Sequence, residues 1–126
     1  MSAATKYVTL EGRFKSHRGG YLESPTMAYD TWGEHNAAKD NAILIFSGLS
    51  PSAHAASSGE DPTPGWWEDM IGSGFPLDCD RYCIICVNSL GSCFGSTGPA
   101  SINPETGELY RLSFPTLTLE DVGEAA

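Results

Sequence analysis

The segment Ser47-Gly48-Leu49-Ser50-Pro51-Ser52-Ala53-His54 places a glycine, several hydroxyls and a histidine directly after an apolar run. Gly48 can take backbone angles closed to other residues, so a neighbouring amide can point into a cavity. An amide N–H held in that way stabilises negative charge on a substrate oxygen, because the donor is fixed before the charge develops. Ser52 and His54 invite a nucleophile–base reading. A two-residue separation does not establish a productive Ser–His geometry, and the sequence offers no evident third group to orient the ring. His54 is therefore read as a hydrogen-bonded loop histidine.

A second cluster, Asn88-Ser89-Leu90-Gly91-Ser92-Cys93-Phe94-Gly95-Ser96-Thr97-Gly98-Pro99, also follows an apolar run. It has no Gly-Lys-Ser/Thr and no basic residue, which excludes a phosphate-binding loop of that type. It lacks G-x-S-x-G as well, since Gly91 directly adjoins Ser92. It reads as a shaped loop lining a pocket, and the expected lining residues are His54, Asn88, Gly95 and Ser96. Cys93 has no matched histidine to activate it. Cys83 and Cys86 form a C-x-x-C, but on a strand these positions face opposite sides. Without a second such pair they are expected to be buried, reduced and structural. Trp66-Trp67 is expected to be core or rim packing, with a substrate wall as the alternative.

These loops need strands to carry them. Ala42–Phe46 and Tyr82–Val87 are continuous apolar runs, the pattern of strands covered on both faces of a parallel sheet. About thirty-five residues separate them, enough for a crossover. Ligand sites in such sheets lie at the carboxyl ends of the strands, where both loops begin. Upstream, Tyr7–Phe14 and Leu22–Trp32 are expected to pair as antiparallel edge strands around a Gly19-Gly20 turn. Thr118 with Asp121 three residues on marks a helix start. A helix only just begun at Ala126 leads us to expect that the chain is truncated. One domain portion, residues 1–126, without an internal boundary, is expected.

The 126 residues carry 16 acidic and 7 basic groups, a net charge of −9, with Lys and Arg scattered. This argues against nucleic acid and anionic membranes as partners. No eighteen-residue apolar stretch is present and Met1 to Lys6 has no apolar leader, so the expected compartment is the cytoplasm. No metal site is expected.

Together the motifs resemble the homoserine O-acyltransferase family, which includes serine O-acyltransferases. The resemblance rests on Ala28-Tyr29-Asp30-Thr31-Trp32-Gly33, Gly65-Trp66-Trp67-Glu68-Asp69-Met70-Ile71-Gly72, Asn88-Ser89-Leu90-Gly91-Ser92, Gly95-Ser96-Thr97-Gly98-Pro99 and Ser101-Ile102-Asn103-Pro104. It implies an α/β fold: the amino-terminal part of an α/β-hydrolase, incomplete, with a mostly parallel sheet and antiparallel edge strands. It implies acyl transfer from acyl-CoA, a co-substrate rather than a cofactor, to the hydroxyl of L-serine or L-homoserine, in a homodimeric parent enzyme. One oxyanion-hole amide in that fold comes from the loop after the first buried strand, so Leu49 is the expected donor. Homoserine-type members commonly read Ala-Leu-Thr-Gly there. Gly48-Leu49-Ser50-Pro51 is similar to the serine O-succinyltransferase branch, where this tetrapeptide is linked to acceptor choice. Succinyl and acetyl donors both remain open. The catalytic Ser, Asp and His are expected beyond Ala126, so the 126-residue chain alone is expected to be inactive and poorly folded. A hydrolase of the same fold and a non-enzymatic interaction module are the alternatives.

Overall fold

The computed structural model describes residues 2–126. In chain order the strands are β1 (Lys6–Thr9), β2 (Arg13–Lys15), β3 (Tyr21–Glu23), β4 (Thr26–Trp32), β5 (Ala42–Phe46), β6 (Ile71–Gly72), β7 (Leu77–Asp78) and β8 (Cys83–Val87). A 3-10 turn at Arg111–Ser113 and a single helix, α1 (Leu119–Ala125), follow. The main sheet has the order β1-β4-β8-β5. β5 and β8 are parallel, with Leu44 opposite Ile85 and Phe46 opposite Val87. β4 runs antiparallel to both β1 and β8.

The α/β class and the antiparallel pairing of the upstream runs are as expected, and among the described residues the main sheet is mixed, with one parallel pair. One expectation is corrected: β4 is an inner strand, and β1 is the antiparallel edge. The upstream run splits because its two ends serve different sheets. β1 joins the main sheet, whereas β2 and β3 close a separate hairpin in which Ser16 N–H donates to the Gly20 carbonyl.

β8 is covered on both faces, as its continuous apolar sequence requires. Ile84 and Cys86 join one cluster with Trp32, Ile45, Ala55, Ala56 and Ile71. Val87, flanked by Ile85, joins the other with Leu22, Met27, Leu90, Tyr110 and Ala125. β5 carries the same kind of sequence but forms the other sheet edge. Its Leu44 and Phe46 are 47% and 49% exposed, and only Ile45 is buried. Within the described residues β8 is thus covered on both faces and β5 on one.

Cys83 and Cys86 are buried and free, on opposite sides of the sheet, while Cys79 is half-buried and Cys93 exposed. α1 starts as its sequence requires. Thr118 Oγ1 accepts from the Asp121 amide, and Asp121 accepts from the Thr118 amide. Asp121 also takes hydrogen bonds from Ser16 Oγ and from the His17 amide, fastening α1 to the β2–β3 hairpin. No helix among the described residues is long and apolar enough to cross a membrane.

Candidate active site

β5 delivers its loop at the carboxyl end of the parallel pair. The Ser47 amide still donates to the Val87 carbonyl at 3.2 Å, so the loop departs from a fixed point. Gly48 then turns the chain at φ +80°, a left-handed conformation that glycine adopts without strain. Leu49 follows, its side chain almost wholly exposed. Among the described residues nothing accepts the Leu49 amide hydrogen. The Gly48 carbonyl accepts the Ser89 hydroxyl at 2.8 Å, and the Pro51 carbonyl faces Asn88 Nδ2 at 3.4 Å. The β8 loop therefore grips the tetrapeptide Gly48–Pro51 at both ends.

That grip has a buried foundation. Asn88 is fully buried, its amide donating to the Ala28 carbonyl. Its Oδ1 accepts from Ser92 Oγ and from the Ser96 amide. Ser96 Oγ donates to the Asn88 carbonyl and accepts from the Ala28 amide. Asn88 and Ser96 are thus struts behind the loop, fully occupied with one another and with β4. Gly95, half-buried with φ +114°, turns the chain between Phe94 and Ser96. Gly98 packs so closely that a Cβ there would lie 2.0 Å from the Ser92 carbonyl oxygen.

At the far end of the β5 loop, Ser52 and His54 do not form a nucleophile–base pair. Ser52 Oγ accepts from the His54 backbone amide at 3.2 Å, a local turn. The His54 ring is held elsewhere. Nε2 lies 2.7 Å from the Thr63 carbonyl, and Nδ1 lies 3.2 Å from Oδ2 of Asp30. Both ring nitrogens face acceptors, and both can be satisfied only by the imidazolium. Burial pulls the His54 pKa down. The Thr63 carbonyl, the Asp30 carboxylate and the nearby Asp61 outweigh it, and the net direction is up. A ring so engaged is a poor general base.

Asp30 and Asp61 are the groups that sequence reasoning missed. Asp30 is 1% exposed and also accepts from Thr5 Oγ1 at 2.7 Å. The available signal was the one charged residue in β4, a carboxylate among Thr, Met, Ala, Tyr and Trp. Asp61 is held well below the ordinary carboxylate range by hydrogen bonds from Ser2 and Thr63. His54, Ser52, Asp61, Thr63 and Phe94 line a cleft of about 460 Å³. Phe94 was not anticipated as a wall. On the other side of the loop, Gly48, Leu49 and Ser89 border a mainly apolar groove of about 320 Å³ with Phe46, Leu119 and Val122. Trp66 and Trp67 stack at 5.7 Å with their rings partly exposed, as rim packing, and Trp66 Nε1 donates to the Ser52 carbonyl.

A mixed sheet whose parallel pair delivers a glycine-turned amide at its carboxyl end defines the class: the amino-terminal portion of an α/β-hydrolase fold. Comparison with known proteins agrees. The chain is 60% identical over all its 126 residues to a serine O-succinyltransferase of Litchfieldella anticariensis, covering 34% of that protein. It is 58% identical over 123 residues to an L-serine/homoserine O-acetyltransferase of Streptomyces lavendulae, covering 33% of it. Among solved structures, a homoserine O-acetyltransferase from Bacillus anthracis superposes with a TM-score of 0.86 at 32% identity, over 99% of this chain and 35% of that one. A solved esterase superposes with a TM-score of 0.84 at 34% identity, over 96% of this chain and 35% of that one. No family model matches the chain. The chain spans about a third of the length of the curated relatives it matches. The resemblance read from the motifs to the serine and homoserine O-acyltransferases is thereby borne out for their amino-terminal part.

Proposed function

We propose that this chain is the amino-terminal portion of an acyl-CoA-dependent amino-acid O-acyltransferase, with L-serine as the favoured acceptor and succinyl as the favoured donor group. The observation that carries the reading is the free Leu49 amide after the left-handed Gly48, at the carboxyl end of β5. The identity to serine O-succinyltransferases supports the acceptor and donor.

In this reading a serine nucleophile, a histidine and an aspartate come from the protein beyond Ala126. The nucleophile's hydroxyl passes its proton to the histidine as its oxygen attacks the thioester carbonyl, and the carbonyl oxygen becomes an oxyanion. Leu49 N–H donates to that oxygen. Collapse expels coenzyme A as its thiol, the proton coming from the histidine. The amino-acid hydroxyl then attacks the acyl-enzyme and gives its proton to the histidine; the acyl–serine bond breaks, the histidine returns that proton to the serine oxygen, and the O-acyl amino acid leaves. Gly48–Pro51 shapes the acceptor end of the site. Pro51 stiffens this stretch by fixing its own φ. The activated ester suits cysteine or methionine biosynthesis in the cytoplasm, and a homodimeric parent belongs to the same reading. The scattered basic groups and the net charge of −9 support small-molecule partners rather than polyanions.

The esterase superposition favours one rival, hydrolysis with water in place of the amino acid. Product analysis separates the two. The full-length protein, given succinyl-CoA or acetyl-CoA with serine or homoserine, is expected to yield an O-acyl amino acid by mass spectrometry. Free carboxylic acid as the sole product would refute the transferase reading.

A further inference from the structure

Ser89 lies forty-one positions from Gly48, yet its hydroxyl donates to the Gly48 carbonyl at 2.8 Å. The Gly48–Leu49 peptide is trans, so its C=O and N–H point in opposite directions. Whatever fixes the carbonyl therefore aims the amide. The neighbouring Ser47 Oγ also donates to this carbonyl, but at 3.5 Å, the long limit of hydrogen bonding, so Ser89 makes the stronger contact. Gly48 itself gives no steric restraint, since nothing lies within 4 Å of where its Cβ would be. The shorter of the two hydroxyl contacts on this peptide, and the one that comes from another strand's loop, is that of Ser89. Ser89 is well placed to hold it. It follows the buried Asn88, and its own carbonyl accepts from the Ser92 amide at 3.2 Å.

We infer that Ser89 is a positioning residue, whose hydroxyl clamps the Gly48 carbonyl so that the Leu49 amide faces the reacting oxygen. The inference rests on the oxyanion role proposed for Leu49. Removing the hydroxyl frees the peptide to rotate, and a donor displaced by about an ångström costs up to about a hundredfold in rate. The loss falls on the transition state, where the oxygen carries charge, and not on ground-state binding.

The test uses the full-length protein with Ser89→Ala and Ser89→Thr. Ser89→Ala is expected to lower kcat by about tenfold or more, with KM for acyl-CoA and the melting midpoint nearly unchanged. Ser89→Thr, which keeps the hydroxyl, is expected to retain most of the rate. A crystal structure of Ser89→Ala is expected to show the Gly48 carbonyl rotated from its wild-type direction. Wild-type kcat in Ser89→Ala, or an unmoved Gly48–Leu49 peptide in its crystal structure, would overturn the inference. A wild-type protein without acyl transfer would count against the proposed function instead, and the crystal structure would still decide the role of Ser89.

Discussion

His54 on the β5 loop and Asp30 in the middle of β4 meet with Nδ1 3.2 Å from Oδ2, tying the far end of the tetrapeptide's loop to the sheet. The contact makes this anchor sensitive to pH. The folded pKa of His54 is raised above the ordinary 6.5. Its contribution to stability is therefore fully present below about pH 6.5 and is lost as pH rises through the raised value. Melting midpoints measured from pH 5 to pH 9 on the full-length protein are expected to fall more steeply for wild type than for His54→Gln. Parallel curves for the two proteins would show that the ring does not titrate as described.

Asn88 supports the same loop from beneath. Asn88→Ala would strand the buried Ser96 amide and remove the donor to Pro51. A buried group left without its partner costs about 1–3 kcal/mol, so a fall of several degrees in the melting midpoint is expected. A midpoint within a degree of wild type would mean that water replaces the side chain without loss.

Acceptor choice can be tested at two positions without disturbing Gly48. Ser50→Thr with Pro51→Gly converts the second half of the tetrapeptide to the form of the homoserine-type enzymes. One methylene of acceptor length is worth about 1–3 kcal/mol in a pocket, so the ratio of kcat/KM for homoserine over serine is expected to rise about tenfold or more. An unchanged ratio would place acceptor discrimination outside this segment. Gly48→Ala is left out of the design because a side chain at φ +80° strains the backbone by about 1–2 kcal/mol.

The cysteines give a simpler check on the sheet. Burial, with the charge of Asp30 nearby, pushes the Cys86 thiol up to about 12. Cys83 and Cys86 are both buried in β8. Alkylation of the native protein, followed by peptide mass analysis, is expected to leave both unlabelled until denaturant is added. Rapid native labelling of either would contradict the buried β8.

The main strands were legible in the sequence because apolar runs demand cover. Ala42–Phe46 was recovered residue for residue, and Tyr82–Val87 to within one position. Strand order was not legible, because Leu44 and Phe46 have the same apolar character as Ile84 and Val87. Strand order depends on pairings across long separations. The Thr118–Asp121 capping box was legible because it is local. The chemistry of the loop was partly legible: Gly48 announced its turn, and His54 proved a hydrogen-bonded histidine. The partners of that histidine come from β4 and from the Asp61–Thr63 loop. The clamp from Ser89 crosses forty-one positions. Hydrogen bonds of that reach leave no periodic trace in a sequence. Asn88 and Ser96 could equally line a pocket or brace it until their burial was known.

The most direct measurement is a crystal structure of the full-length protein whose nucleophile has been trapped with a phosphonate mimic of the tetrahedral intermediate. The Leu49 amide nitrogen is expected to lie about 2.7–3.1 Å from the phosphonyl oxygen, with Ser89 Oγ still on the Gly48 carbonyl. A phosphonyl oxygen held entirely by other donors, with the Leu49 amide turned away from it, would contradict the account.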